Sequence, residues 1–191
     1  SFDELEVDGF ADNPPDRCYH CKTAILQKVR EAAEQVDTVY IAEGSNVDDD
    51  GDYRPGKRAV QEAGVISPLK EAGLTKAEIR QLSKEMGLAT WDKPSFACLA
   101  SRFAYEEPIT AEKLRMVELA EKFLREHGFS QYRVRMHGSM ARVEVLPEDL
   151  ERFLDPKLRQ DFTGHMKDLG FTYTALDLDG YRTGSMNATL K

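Results

Sequence analysis

A short run of β-branched and apolar residues, V-D-T-V-Y-I-A at positions 36–42, constrains the fold more than any other segment. Such runs are typical of buried parallel strands. An amphipathic helical pattern precedes it over residues 17–35, and helical patterns follow over residues 55–63 and 75–87. Thr75 and Glu78 predict a capping box at the start of the last of these helices. The sequence therefore predicts a helix–strand–loop–helix unit of a doubly wound, parallel α/β sheet. Because one strand cannot form a sheet, we expect further strands from an N-terminal segment or from a partner.

A polar loop, G-S-N-V-D-D-D-G-D-Y-R-P-G-K-R, follows this run at residues 44–58. Open α/β sheets bind ligands at the carboxyl ends of their strands, which is where this loop is expected. Its aspartates repel one another unless they are solvated or bound to a cation. We therefore predict that the loop binds Mg²⁺ and nucleotide phosphates, with Gly44, Asn46, Asp49 and Arg54 as candidate residues. A solvated acidic turn is the alternative.

Three cysteines occur in the sequence. Cys18 and Cys21 form a C-x-x-C pair, and Cys98 lies in P-S-F-A-C-L-A-S-R at residues 94–102. Three thiols can hold three corners of a [4Fe–4S] cluster and leave one iron open. The pair alone is a weak signal, because a redox pair, half of a zinc site and incidental cysteines share its spacing. Small residues around Cys98 favour an accessible thiol, and Arg102 is a candidate to stabilise the thiolate or bind an anion; a buried structural cysteine is the alternative.

The pattern changes after residue 107. An amphipathic helix is expected from residue 110 to the glycine at 128, followed by a β-hairpin over residues 132–145. Helical segments over about 147–169 and a last strand over 171–178 complete the set. The sequence therefore predicts two domains: a partial nucleotide-binding domain at residues 1–107, and a small α+β domain with an antiparallel sheet at residues 108–191.

The predicted hairpin carries several charged residues. Arg133 and Arg135 share one face, because alternate residues of a strand point the same way. Arg142 and Glu144 lie on the partner strand. Arginines arranged in this way form either a phosphate clamp or a ladder of salt bridges, and the sequence pattern alone favours the ladder.

The composition narrows the class of partner. The 191 residues carry a formal net charge of -8, which argues against nonspecific nucleic-acid binding, since that depends on basic side chains paired with phosphates. The longest apolar runs are too short to span a bilayer, and no basic and apolar leader opens the chain. An odd number of cysteines without an export signal fits a reducing compartment. We therefore expect a cytoplasmic protein with neither a nucleic-acid nor a membrane partner.

Four motifs, in this order and spacing, closely resemble the LarE family: F-A-D-N-P-P-D-R-C-Y-H-C-K, G-S-N-V-D-D-D-G-D-Y-R-P-G, S-P-L and W-D-K-P-S-F-A-C-L-A-S-R-F. The resemblance runs from about Gly9 to Met186. LarE proteins are ATP-dependent sulfur transferases of the PP-loop pyrophosphatase superfamily, and they act on a pyridinium dicarboxylate mononucleotide on the way to the nickel-pincer nucleotide. The resemblance therefore implies a PP-loop parallel sheet, a small-molecule nucleotide substrate, ATP and Mg²⁺, and a homo-oligomer.

The resemblance also implies roles for individual residues. Cys98 takes the position of the cysteine that receives the activated substrate and supplies sulfur. With Cys18 and Cys21 present as well, the chain resembles the members in which three cysteines hold a [4Fe–4S] cluster that carries an exchangeable sulfide, rather than those in which a single cysteine surrenders its own sulfur. The implied substrate-phosphate pocket consists of Ser101, Arg102, Arg133, Arg135 and Glu144.

The implied reaction has two halves. ATP adenylates a substrate carboxylate, and the sulfur nucleophile then attacks the acyl adenylate and expels AMP. PP-loop enzymes bind ATP phosphates through an S-G-G-x-D-S loop, and no such run occurs in this sequence. We therefore expect these residues alone to bind ATP poorly and the natural protein to carry about one more βαβ unit at its N-terminus. Alternative functions are another PP-loop activity (a tRNA thiolase or an amide-forming NAD or GMP synthetase) and a zinc-stabilised binding module.

Overall fold

The computed structural model describes residues 2–38, 40–51, 53–93, 97–182, 184–185 and 187. The chain forms two compact units. Unit 1 comprises Ser1–Phe10 and Asp16–Phe96, and unit 2 comprises Ala11–Pro15 and Ala97–Lys191. The domain boundary expected between residues 107 and 108 stays a prediction. Across the described ranges, every helix falls short of the length and apolar character that crossing a membrane requires.

Unit 1 is built mainly from helices. They are α1 (Arg17–Gln35), α2 (Gly56–Glu62), α3 (Pro68–Glu71) and α4 (Lys76–Glu85), with 3-10 turns at Glu4–Glu6 and Val47–Gly51. Helices α1 and α2 pack together around a small core of Leu26, Ala59 and Val65. The helices expected at residues 17–35, 55–63 and 75–87 are confirmed.

The capping box at the start of α4 is also confirmed. The Thr75 hydroxyl accepts a hydrogen bond from the Glu78 backbone N–H at 3.3 Å, and the Glu78 carboxylate accepts one from the Thr75 N–H at 2.8 Å. Two N–H groups without partners inside the helix are thereby satisfied, which fixes where α4 begins.

The prediction of a buried strand over residues 36–42 is wrong in its extent. Val36 and Tyr40 are 73% and 77% exposed, and Asp37 has a left-handed φ of 51°, which breaks an extended path. Ala42 forms an isolated parallel bridge with Ile66. Val39 lies outside the described residues. The physical reason is a shortage of neighbours: a parallel strand is buried only when strands pair along its length, and in the described part of unit 1 the pairing is confined to this bridge.

Unit 2 combines two helices with a three-stranded sheet. Its elements are α5 (Ala111–Glu126), β1 (Tyr132–His137), β2 (Met140–Val145), α6 (Pro156–Asp168) and β3 (Tyr173–Leu176), with 3-10 turns at Leu99–Arg102 and Pro147–Leu154. The predicted helices and the β1–β2 hairpin are confirmed, and the chain is of mixed α/β class. A PP-loop sheet stays a prediction.

The prediction of an antiparallel sheet in unit 2 is wrong for one of its two strand pairs. Strands β1 and β2 are antiparallel, whereas β2 and β3 are parallel. The connection from β2 to β3 contains the second 3-10 turn and α6, and a crossover of this length returns the chain to the end of the sheet at which β2 began. The short last strand therefore adds to the hairpin in the same direction as β2.

The register of β1 and β2 gives the hairpin one apolar and one charged face. The pairs Tyr132–Val145, Val134–Val143 and Met136–Ala141 form the apolar face, and all six residues are buried. The pairs Arg133–Glu144 and Arg135–Arg142 form the charged face. Helix α5 packs against β1, and its Val117, Ala120 and Leu124 join the core of the unit.

Candidate functional site

The charged face of the hairpin is buried almost as completely as the apolar one. Arg133, Arg135 and Glu144 are 3%, 4% and 0% exposed. Charged side chains are almost never buried to this extent unless they are paired, because an isolated charge loses its hydration. Their partners therefore define the site.

Glu144 lies at the centre of these contacts. Arg135 donates to both of its carboxylate oxygens, from Nε at 3.1 Å and from Nη2 at 2.9 Å. Arg142 approaches Oε1 at 3.3 Å, and the Ser185 hydroxyl donates to the same oxygen at 2.8 Å. Arg142 also pairs with Asp177, just after β3. The contacts thus tie together all three strands of the sheet.

The loop that carries Cys98 is fixed by a second buried ion pair. Arg102, 1% exposed, donates from Nε and Nη2 to the two carboxylate oxygens of Glu121 at 2.7 and 2.9 Å. Its Nη1 donates to the carbonyl oxygens of Ala97 at 2.8 Å and Cys98 at 3.1 Å. The Ser101 hydroxyl donates to the Cys98 carbonyl at 2.8 Å. The backbone at Cys98 is therefore restrained, while its side chain is exposed.

One hydrogen bond joins the two ion pairs. Arg135 Nη1 donates to the carbonyl oxygen of Ser101 at 2.9 Å, which links the Cys98 loop to Glu144. We call these charges, together with Arg133 on the same face of β1, the arginine network; its members are Arg102, Arg133, Arg135, Arg142, Glu121, Glu144 and Asp177. Four guanidinium groups against three carboxylates leave it with an excess of positive charge. Such an environment attracts anions, and guanidinium groups match the geometry of phosphate oxygens.

Arg133, a member of this network, lies on the same face of β1 as Arg135. Its Nη1 donates to the carbonyl oxygen of Tyr132 at 2.6 Å, and its guanidinium carbon lies 5.0 Å from the centroid of the Tyr181 ring. The pKa of the Arg133 guanidinium is lowered, first by burial and then by the positive charge of Arg102. A bound anion would offset both effects, because a nearby negative charge favours the charged form of the guanidinium.

The structure thus brings together Ser101, Arg102, Arg133, Arg135 and Glu144 with the Cys98 backbone, all within unit 2. Three further members were not expected: Glu121, Asp177 and Ser185. Glu121 did carry a signal, because it is a charged residue within the buried stripe of an amphipathic helix. Asp177 and Ser185 lie in irregular chain after β3, where no periodicity could mark them.

The acidic loop of unit 1 is neutralised by groups from its own unit. Asp49, 9% exposed, accepts from the Asn46 N–H at 3.0 Å and pairs with Arg54 at 2.7 Å. Asp48 accepts from the Lys76 N–H at 2.8 Å, and Asp50 pairs with Lys70 at 2.6 Å. Asp49 therefore contacts both Asn46 and Arg54, and Asp52 lies outside the described residues.

Gly44 is the first residue of this loop and has open space beside it. A Cβ built at Gly44 would have nothing within 4 Å, so a ligand can approach its backbone closely. The neighbouring Glu43 remains readily ionised: although burial raises its pKa, hydrogen bonds from Ser45 and Ser67 lower it further. The binding of Mg²⁺ and nucleotide phosphates at this loop stays a prediction.

Cys18 and Cys21 lie near the start of α1, three residues apart and hence on one side of the helix. Cys18 is exposed and Cys21 is partly buried. Within each unit, no three described His, Cys, Asp or Glu side chains are grouped closely enough to hold a metal ion. The [4Fe–4S] cluster stays a prediction; of its expected ligands, Cys18 and Cys21 lie one helical turn apart, and the side chains of Cys18 and Cys98 are exposed. Pro94, Ser95 and Phe96, upstream of Cys98, lie outside the described residues.

Similar proteins point to one family. The chain is 38% identical over 194 residues to the pyridinium-3,5-bisthiocarboxylic acid mononucleotide synthase of Lactiplantibacillus plantarum, covering 100% of this chain and 68% of that enzyme. It is 41% identical over 187 residues to an uncharacterized protein of Synechocystis, covering 98% of this chain and 70% of the relative. An uncharacterized protein of Methanocaldococcus jannaschii is 30% identical over 179 residues, covering 94% and 69%. No family model matches. The chain belongs to the LarE family, as its motifs predicted.

Proposed function

We propose that this protein is a sulfur transferase that converts carboxylates of a pyridinium mononucleotide into thiocarboxylates, the kind of product named for its relative from Lactiplantibacillus plantarum. The observation that carries the proposal is the buried arginine network that restrains the Cys98 loop. It combines, within one unit, an exposed thiol and an excess of guanidinium groups. A sulfur transferase that acts on a phosphorylated substrate needs both.

The arginine network binds the phosphate of the nucleotide. Arg102 and Arg135 are each paired bidentately with a carboxylate, so they are held in place before substrate arrives. The charge of Arg133 is destabilised by burial and by Arg102, and an added anion would stabilise it. Groups fixed in advance lose little side-chain freedom on binding, which favours affinity.

ATP activates the substrate carboxylate. A carboxylate oxygen attacks the α-phosphorus, pyrophosphate leaves, and an acyl adenylate forms. The sulfur nucleophile then forms a bond to the acyl carbon, and the bond from that carbon to the AMP oxygen breaks. We assign Mg²⁺ and the ATP phosphates to the loop of Gly44, Asn46, Asp49 and Arg54, which stabilises the negative charge that develops on the departing pyrophosphate.

We further propose that Cys18, Cys21 and Cys98 hold a [4Fe–4S] cluster, and that the protein works as a cytoplasmic homo-oligomer. The cluster would supply an exchangeable sulfide at its open iron. Iron and acid-labile sulfide analysis of the anaerobic protein tests this, with Cys18→Ala and Cys98→Ala beside it. Loss of iron and sulfide in both variants supports the shared centre; retention in either one leaves the sulfur of Cys98 itself as the source.

The proposed function is tested by incubating the protein with Mg-ATP and the pyridinium dicarboxylate mononucleotide. We expect AMP and pyrophosphate to be released only when the mononucleotide is present, and mass spectrometry to show replacement of a carboxylate oxygen by sulfur. Arg135→Gln should raise the KM for the mononucleotide far more than that for ATP. Release of ADP in place of AMP, or equal activity with a tRNA substrate, would contradict the proposal.

A further inference from the structure

A tight turn follows β3 and requires a glycine. The Gly180 N–H donates to the Asp177 carbonyl at 3.1 Å, and the Tyr181 N–H donates to the Val145 carbonyl at 2.7 Å. Gly180 has a φ of +69°, and a Cβ at this position would lie 2.8 Å from the Val145 oxygen. Any other residue would therefore force the backbone apart. The turn fixes the position of Tyr181 against the end of β2.

This position sets the Tyr181 ring against Arg133. The guanidinium carbon lies 5.0 Å from the ring centroid, within the range of a cation–π interaction. Arg133 is 3% exposed and Tyr181 is partly buried, and such contacts strengthen when water is excluded. An aromatic ring restrains a guanidinium group through its quadrupole and adds no net charge. The contact therefore orients Arg133 without neutralising its positive charge.

We propose that Tyr181 is a positioning residue for Arg133: its ring holds the guanidinium in the orientation that binds the phosphate of the substrate. The inference rests on the proposed function, which assigns that phosphate to the arginine network. Tyr181 lies outside the recognised motifs. The turn at Gly180 then both reverses the chain and positions the Tyr181 ring.

Variants at Tyr181 test the role in the whole protein. Tyr181→Leu should lower kcat/KM for the mononucleotide about five- to tenfold, mainly through KM, and should leave kcat/KM for the dephosphorylated nucleoside unchanged. Tyr181→Phe keeps the ring and should retain wild-type values. The matched control is Tyr173→Leu, at an exposed tyrosine of the same unit. Equal losses with the nucleotide and the nucleoside, or no loss with either, would overturn the inference.

A second measurement does not depend on catalysis. In a double-mutant cycle followed by urea unfolding, the variant that carries both Tyr181→Leu and Arg133→Met should shift the unfolding midpoint by less than the sum of the two single shifts. The reason is that each substitution removes the same contact. Additive shifts would overturn the inference. If this coupling is present, and Tyr181→Leu also weakens the binding of inorganic phosphate while the wild type makes no thiocarboxylate, the positioning role stands and the proposed function fails.

Discussion

Replacing Glu121 by alanine should destabilise unit 2 more than any surface change on the same helix. The substitution leaves the charge of Arg102 buried and unpaired, since Arg102 is 1% exposed and donates to both Glu121 oxygens at 2.7 and 2.9 Å. It also removes the acceptor of the Val134 N–H, which lies 3.0 Å from Oε1. Breaking a buried ion pair by removing one partner typically costs about 3–5 kcal/mol. A loss of that size is a large part of the roughly 5–15 kcal/mol that stabilises a typical protein.

Urea unfolding followed by circular dichroism measures this loss. The matched control is Glu118→Ala, which makes the same chemical change at an exposed position of α5 and should alter stability by no more than about 0.5 kcal/mol. The Glu121→Ala variant should unfold at a much lower urea concentration with an unchanged dependence on denaturant. If Glu121→Ala lowers the free energy of unfolding by no more than about 1 kcal/mol beyond the control, the reasoning is refuted, because ion pairs worth that little are typical of exposed sites.

Three further substitutions test the local physics. Burial, and then the charge of Arg142, lower the pKa of His137 below 6.5, so the folded protein holds fewer protons there than the unfolded chain does. Its contribution to stability is complete above the unfolded pKa and is lost as the pH falls toward the folded pKa; His137→Gln should therefore reduce acid destabilisation in that window. Thr75→Ala removes the cap of α4 and should cost about 1 kcal/mol. Gly180→Ala should cost more than about 2 kcal/mol, because it adds a clash with Val145 to a left-handed φ.

Each of these has an outcome that would contradict it. For His137, a pH dependence of stability in His137→Gln equal to that of the wild type would contradict the assignment. Thr75→Ser keeps the hydroxyl and should have the same free energy of unfolding as the wild type. A loss of stability equal to that of Thr75→Ala would argue against capping. Gly128 also has a left-handed φ but has nothing within 4 Å of its Cβ position. If Gly128→Ala costs as much as the change at Gly180, the clash is not the cause.

Local structure could be predicted where the signal is local. The capping box at Thr75, the hairpin at residues 132–145 and the amphipathic helix α5 depend on spacing of a few residues, and all three are confirmed. The direction of β3 could not be predicted, because it depends on where the crossover through α6 returns the chain. The run at residues 36–42 reads as a strand in isolation, but pairing decides whether a strand forms.

The site was only partly predictable for a similar reason. The motifs pointed to Ser101, Arg102 and the hairpin arginines, and hydrogen bonds join Ser101 to Arg102 and to Arg135. Sequence patterns do not specify which carboxylate neutralises which arginine, since Glu121 lies 19 positions from Arg102 and Glu144 lies nine from Arg135. Those pairings arise when α5 and the three strands pack together, and they decide which charges are buried.

Thiocarboxylate formation by Cys98→Ser tests the central claim most directly. Serine keeps the shape of the side chain and the backbone hydrogen bonds to Ser101 and Arg102, so the Cys98 loop should remain in place. We predict that the variant binds the mononucleotide with wild-type affinity and forms no thiocarboxylate detectable by mass spectrometry. Thiocarboxylate made by Cys98→Ser at the wild-type rate would contradict the account.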